Sequence, residues 1–172
     1  MSKDLLATSK DLYKISDCIL IKLRRLYMSN KVVYRADQLP KLLMIMYTEC
    51  MADNRIKESW IDISLLPRGC EKTIAVLFAS CRLGIPIIVR SSRDKKLYLD
   101  KFHSMFSIFH KCIHFPRGFE PCIGTFNDIS DAYWRSKNMN KIKCVIVDGL
   151  TLRDADFISE KLDKQVMGFM RV

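Results

Sequence analysis

Two stretches that read as strands are apolar at every position rather than at alternate ones, Pro86-Ile87-Ile88-Val89 and Cys144-Val145-Ile146-Val147. A strand that is apolar on both faces needs a covering layer on both faces, which is the situation of an interior strand in a parallel sheet. Segments of helical periodicity stand between and around these runs. Lys72 to Leu83 carries Ile74, Val76, Leu77, Phe78 and Cys81, with Gly84 as its stop signal, and further helices are expected over Tyr98 to Cys112, from Asp128 through Trp134, and over Leu152 to Met170. Shorter strands are expected at Trp60 to Leu65 and Cys122 to Phe126. Strands alternating with helices predict an α/β fold, a mainly parallel three-layer sheet joined by right-handed crossovers.

Trp60 to Leu65 differs from the two interior runs because it alternates, with Trp60, Asp62 and Ser64 against Ile61, Ile63 and Leu65. Either this strand is more open on one side, or Asp62 and Ser64 are exceptions packed by helices. The turn that follows it reads Leu66-Pro67-Arg68-Gly69-Cys70-Glu71-Lys72-Thr73 and leads into the helix. A phosphate-binding loop occupies this place between strand and helix and ends in the same Lys-Thr pair, the lysine on the β/γ-phosphates and the hydroxyl on magnesium. The glycines of G-x-x-x-x-G-K-[ST] are replaced by Leu66 and Glu71. A carboxylate at Glu71 repels a bound phosphate by up to ~4 kcal/mol at an effective dielectric of 20, so the loop binds weakly unless Glu71 turns outward. The competing interpretation is an ordinary first helical turn.

With Arg68-Gly69-Cys70-Glu71-Lys72-Thr73, the Pro86 to Val89 strand and Val145-Ile146-Val147-Asp148, roughly residues 58 to 150 resemble the P-loop NTPases, in particular helicase-like and phage-type ATP-binding proteins. The resemblance implies a P-loop-type sheet and a nucleotide, ATP or GTP with magnesium. It implies contacts from Arg68, Gly69, Lys72, Thr73 and Asp148, with Thr73 and Asp148 on the metal. Asp148 is followed by Gly149-Leu150 rather than by a second acid that would orient an attacking water. Nucleotide or nucleic-acid phosphate binding with weak or absent hydrolysis is therefore the expected activity, and no residue is assigned as catalytic base.

Length suits one such domain, residues 56–172, behind an N-terminal helical extension, residues 1–55. In the extension, Leu5, Leu12, Ile15, Ile19, Leu23 and Leu26 form an amphipathic stripe over residues 3 to 28, ending near Asn30. It is a surface for packing on the domain, for a protein partner or a second copy, or for use as a nucleic-acid arm. A second helix, capped by Asp37 with Pro40 in its first turn, is apolar almost all round through Leu39, Leu42, Leu43, Ile45, Met46 and Met51.

Twenty-nine Lys and Arg against 19 Asp and Glu give a net charge of +10, which favours polyanionic partners. Arg90-Ser91-Ser92-Arg93-Asp94-Lys95-Lys96, of which Arg93 to Lys96 are expected as an exposed connection, and Trp134-Arg135-Ser136-Lys137 have the composition of phosphate-tracking and base-stacking surfaces, and equally that of solvated loops. A rival class is thus a small basic non-enzymatic protein, of the kind viruses use to bind or scaffold nucleic acid. No apolar run reaches the ~18 residues of a membrane span. Seven cysteines without C-x-x-C spacing read as reduced core residues. Both features predict a cytoplasmic protein, in the host cell if the chain is viral. His110, Cys112 and His114 make an incomplete zinc set that only Cys122 is placed to complete. Cys70 lacks a histidine base nearby.

Overall fold

The computed structural model describes residues 38–53, 58–66, 71–112, 115 and 118–172. Its elements are α1 (Leu39–Ala52), β1 (Glu58–Asp62), α2 (Lys72–Leu83), β2 (Ile87–Val89), α3 (Ser92–Cys112), β3 (Ile123–Thr125), α4 (Ala132–Met139), β4 (Cys144–Thr151), α5 (Leu152–Leu162) and β5 (Gln165–Arg171), with 3-10 turns at Ile63–Leu65 and Asp128–Ser130. The helix expected over residues 3 to 28, with Asn30 and Asp37, lies outside the described residues. So do Arg68, Gly69, Cys70 and His114.

All five strands are parallel, in the order β1-β5-β4-β2-β3. The α/β class and the parallel sheet expected from the apolar runs are therefore present. Strand parity separates two cores. Val145, Val147, Val166 and Met170 pack with Ile129, Ala155, Ile158 and Leu162 beneath α4 and α5. Alternate residues of the same strands, Cys144, Ile146, Met167 and Phe169, are equally buried, on the side where α1, α2 and α3 lie. The connections through α2 and α3 step across the sheet in one direction and those through α4 and α5 step back. Crossovers of one hand require these two sets to occupy opposite faces.

Several boundaries differ from the sequence expectation. The first strand is Glu58–Asp62, and Ile63–Leu65 form a 3-10 turn capped by Asp62, whose carboxylate accepts from the Ser64 N–H at 2.9 Å. The alternation in that segment thus has two causes: β1 is an edge strand, and Asp62 ends it. Arg93 to Lys96 are not a connection but the first turn of α3, because Ser91 and Asp94 form a reciprocal cap. The Ser91 hydroxyl donates to Asp94 Oδ2 at 2.7 Å, and the Asp94 N–H donates to Ser91 Oγ at 3.2 Å. Asp128 does not cap a long helix. It accepts from the Thr125 N–H at 2.8 Å and from Lys95 Nζ at 3.2 Å, and α4 begins only at Ala132.

The largest departure is at the end of the chain. The helix expected to run from Leu152 to Met170 stops at Leu162, and Gln165–Arg171 form β5, which inserts between β1 and β4. Asp163 breaks the helix in the left-handed conformation at φ 52°, ψ 48°, a role that glycine more commonly fills. The segment read as the end of a helix is therefore a central strand, buried at every residue from Val166 to Met170.

The α1 helix, read from its sequence as part of the extension, packs against α2, β1 and β5 through Leu39, Leu42, Leu43, Met46 and Cys50. Cys50, Cys81 and Cys144 are buried free thiols, and burial pushes Cys81 up to about 12. All three are core residues, as their place in apolar runs predicts. Among the described residues no helix is long and apolar enough to cross a membrane.

One carboxyl pair links the edge strand to α5. Burial, then a hydrogen bond to Asp156 and its charge, push the Glu58 carboxyl up to about 7 from an ordinary 4.5. The folded state holds this proton more tightly than the unfolded chain does. The corresponding stability is complete below about pH 4.5 and is lost as pH rises to about 7. We expect the melting temperature of Glu58→Gln, relative to the parent, to rise across this window. A difference that stays constant with pH would show that the two carboxyls do not share a proton.

Candidate functional site

The site is assembled at the carboxyl ends of the strands. Asp148 ends the apolar run of β4, paired with Val89 of β2 on one side and Phe169 of β5 on the other. The chain leaves β2 toward β3 and leaves β4 toward β5, so the sheet reverses direction between β2 and β4. In open parallel sheets, the crevice outside such a reversal is where ligands bind. A bulge at Gly149 adds one residue to β4, after which Leu150 pairs with Met170 and turns to the opposite core from Asp148.

Asp148 is buried and is held from two helices. Lys72 Nζ, at the first residue of α2, donates to Asp148 Oδ1 and forms an ion pair with it. The Tyr98 hydroxyl, on α3, donates to Asp148 Oδ2 at 2.6 Å. Tyr98 is itself 2% exposed. Burial first, then the Asp148 charge and the hydrogen bond to it, hold the phenol well above its ordinary range, while a hydrogen bond from Thr73 opposes this. Tyr98 is thus a fixed donor that connects Thr73 to Asp148. Lys72 Nζ also lies 5.9 Å from the Phe169 ring centroid, within range of a cation–π contact.

Three of the residues expected at a phosphate site, Lys72, Thr73 and Asp148, are therefore brought together from segments 76 residues apart in sequence. Arg68 and Gly69 lie outside the described residues. Glu71 is exposed, and its backbone is left-handed at φ 54°, ψ 32°. This is the position where the phosphate-loop pattern places glycine, so a glycine-type turn is present without the glycine. Glu71 and Thr73 line one end of a groove of about 440 Å³ that continues between α2 and α3 past Leu97, Lys101 and Ser104.

Sequence reasoning did not identify Tyr98. The available signal was an aromatic residue with a polar tip on the buried face of an amphipathic helix, since a buried phenol requires a partner. Among the described residues no group of three His, Cys, Asp or Glu side chains could hold a metal; of the His110, Cys112 and His114 set, His114 and the Cys112 side chain lie outside them. Lys95 is engaged by Asp128, which removes it from the exposed basic set. Burial pushes the Asp128 carboxyl up, but the Thr125 hydrogen bonds and Lys95 outweigh it, and the group sits below the ordinary carboxylate range. Trp134 packs on the core rather than presenting a stacking face. Comparison with family models, with curated proteins and with solved structures gives no match to this chain.

Proposed function

We propose that the chain is a nucleotide-binding protein of P-loop NTPase type, taking ATP or GTP with magnesium, with weak or no hydrolysis. One observation carries this reading: the ion pair between Lys72, at the start of α2, and Asp148, at the end of β4, where the sheet reverses. Lys72 is the residue that engages phosphate, helped by the first free N–H groups of α2. Magnesium fits the residues present. It commonly takes one or two carboxylates and leaves its other positions to water and substrate phosphate, so the Asp148 carboxylate and Thr73 hydroxyl suffice without a protein cage. When bound, magnesium supplies positive charge across the phosphate oxygens.

Lys72 and Asp148 neutralise each other in the ion pair. Once Lys72 turns to phosphate, Asp148 is a buried carboxylate with only Tyr98 as donor, and it requires a cation. Stabilisation by nucleotide is therefore larger with magnesium. At ~100 times the dissociation constant, the pair should add roughly 2.7 kcal/mol, seen as a rise in melting temperature. We expect Lys72→Ala to lose the rise, and nucleotide without magnesium to give a smaller one. Gly149 places no carboxylate after Asp148, so phosphate release should fall well below ~10 per second. An unchanged melting temperature at millimolar nucleotide would refute the site.

Glu71 offers a second lever. A non-glycine residue in the left-handed region costs about 1–2 kcal/mol, and its carboxylate stands one residue before Lys72. Glu71→Gly should leave the empty protein at least as stable and tighten nucleotide binding. Titration of the thermal shift against nucleotide concentration measures both effects, and weaker binding by the variant would contradict the assignment.

A further inference from the structure

The opposite end of the sheet carries a second cationic feature. The last turns of α4 and α5 approach each other beside the amino ends of β4 and β5. Between them is a pocket of about 300 Å³ walled by Arg135, Asn140, Lys161 and Lys164 over a floor of Met139 and Leu162. Among the described residues no carboxylate lines it. Among the described residues, none of its three cations is paired with an acid.

Basic side chains at helix carboxyl ends have a bland explanation, since they offset the negative end of the helix dipole. Arg135 does this in part, donating from one terminal nitrogen to the Lys161 carbonyl at 3.5 Å. That bond leaves the rest of the guanidinium unused. The Arg135 Nε–H is buried and has no acceptor, an uncommon and costly state for a donor. The Arg135 guanidinium, two lysines and a side-chain amide are donors of the kind that recognise a phosphate group.

We propose that this pocket binds a backbone phosphate of a nucleic-acid strand. The surroundings favour a polymer over a single small anion. Lys141 and Lys143 lie in the loop into β4, both exposed at the same end of the sheet. Together they extend the positive surface beyond the pocket, as contacts to successive phosphates require. Asp131, Glu160 and Asp163 are the acids nearest in sequence, and none lines the pocket. This site is separate from the Lys72–Asp148 centre, and the proposal does not depend on nucleotide binding there.

The test uses the full chain and fluorescence anisotropy of a short fluorescein-labelled single-stranded DNA, measured across a salt series. We expect Lys161→Glu with Lys164→Glu to weaken binding about tenfold or more, and to flatten the log–log salt slope by ~0.7 for each phosphate that is no longer neutralised. Lys161 is exposed and Lys164 half-buried, and the nucleotide-free melting temperature checks that the variant is folded. Arg93→Glu with Lys96→Glu, the same change in net charge at two exposed residues at the other end of the sheet, forms the control. An equal loss in this control would mean that only overall charge matters and would overturn the pocket. So would a parent that does not bind the oligonucleotide, or a pocket variant that binds as the parent does. Inorganic phosphate supplies the remaining arm. If it raises the parent's melting temperature through Lys161 and Lys164 while the oligonucleotide does not bind, the pocket is a small-anion site and the nucleic-acid assignment fails.

Discussion

Lys72→Ala is expected to destabilise the ligand-free protein by roughly 3 kcal/mol, the low end of the cost of removing one partner from a buried ion pair. The low end applies because the Lys72 side chain is 22% exposed, whereas Asp148 is 8% exposed. Removing the lysine leaves Asp148 in the core with the Tyr98 hydroxyl as its donor. The reverse change should cost less. Asp148→Asn keeps an acceptor for Tyr98, and the freed Lys72 can reach water, so a loss of about 1–2 kcal/mol is expected, typical of one hydrogen bond to a charged group. The double variant should be more stable than the sum of the two singles predicts, because its second change removes the charge stranded by the first. Denaturant melts of the four proteins measure this coupling. Additive losses would mean that the ion pair carries no energy, and Lys72 would then be free to engage a ligand without magnesium.

The parts of this architecture that were legible in the sequence are those where one physical constraint dominates. Continuous apolar runs at Ile87–Val89 and Cys144–Val147 require cover on both faces, and both are interior strands. The Lys72–Leu83 helix has the expected bounds because Gly84 stops it in the left-handed conformation at φ 67°. Lys72, Thr73 and Asp148 stand out by type and position, and the fold brings them together. What was missed required information from elsewhere in the fold. The start of α3 depends on side-chain reciprocity between Ser91 and Asp94, which the basic residues among them obscured. Tyr98 is defined by what it reaches across the sheet, fifty residues away. β5 was hidden because Phe157, Ile158, Leu162, Val166 and Met167 keep helical spacing through a break that Asp163 makes without glycine. The signal present there was the run Val166-Met167-Gly168-Phe169-Met170, apolar at every position, with a residue that weakens a helix at its centre.

That central residue carries the second large effect. Gly168 pairs with Val147 on one side and Trp60 on the other, at φ 140°, a conformation that side chains rarely adopt. A Cβ built there would lie 2.1 Å from the Val147 carbonyl oxygen and 3.0 Å from its nitrogen. The obstacle is backbone in the neighbouring strand, so no rotamer change relieves it. Relief requires β5 to move away from β4 one residue before Phe169, which faces Asp148 across the strand pair. Overpacking of this kind costs ~1–3 kcal/mol, and the backbone conformation adds ~1–3 kcal/mol. Gly168→Ala should therefore lose roughly 4 kcal/mol, a large share of the 5–15 kcal/mol that usually holds a domain folded. Gly84→Ala separates the two contributions. It also places a side chain at positive φ, 67°, but a Cβ there meets nothing within 4 Å, so only the conformational cost of about 1–2 kcal/mol applies. Denaturant unfolding of both variants decides the matter. A Gly168→Ala loss no larger than that at Gly84 would mean that β5 does not approach β4 this closely, and the placement of Phe169 beside Lys72 would fall with it.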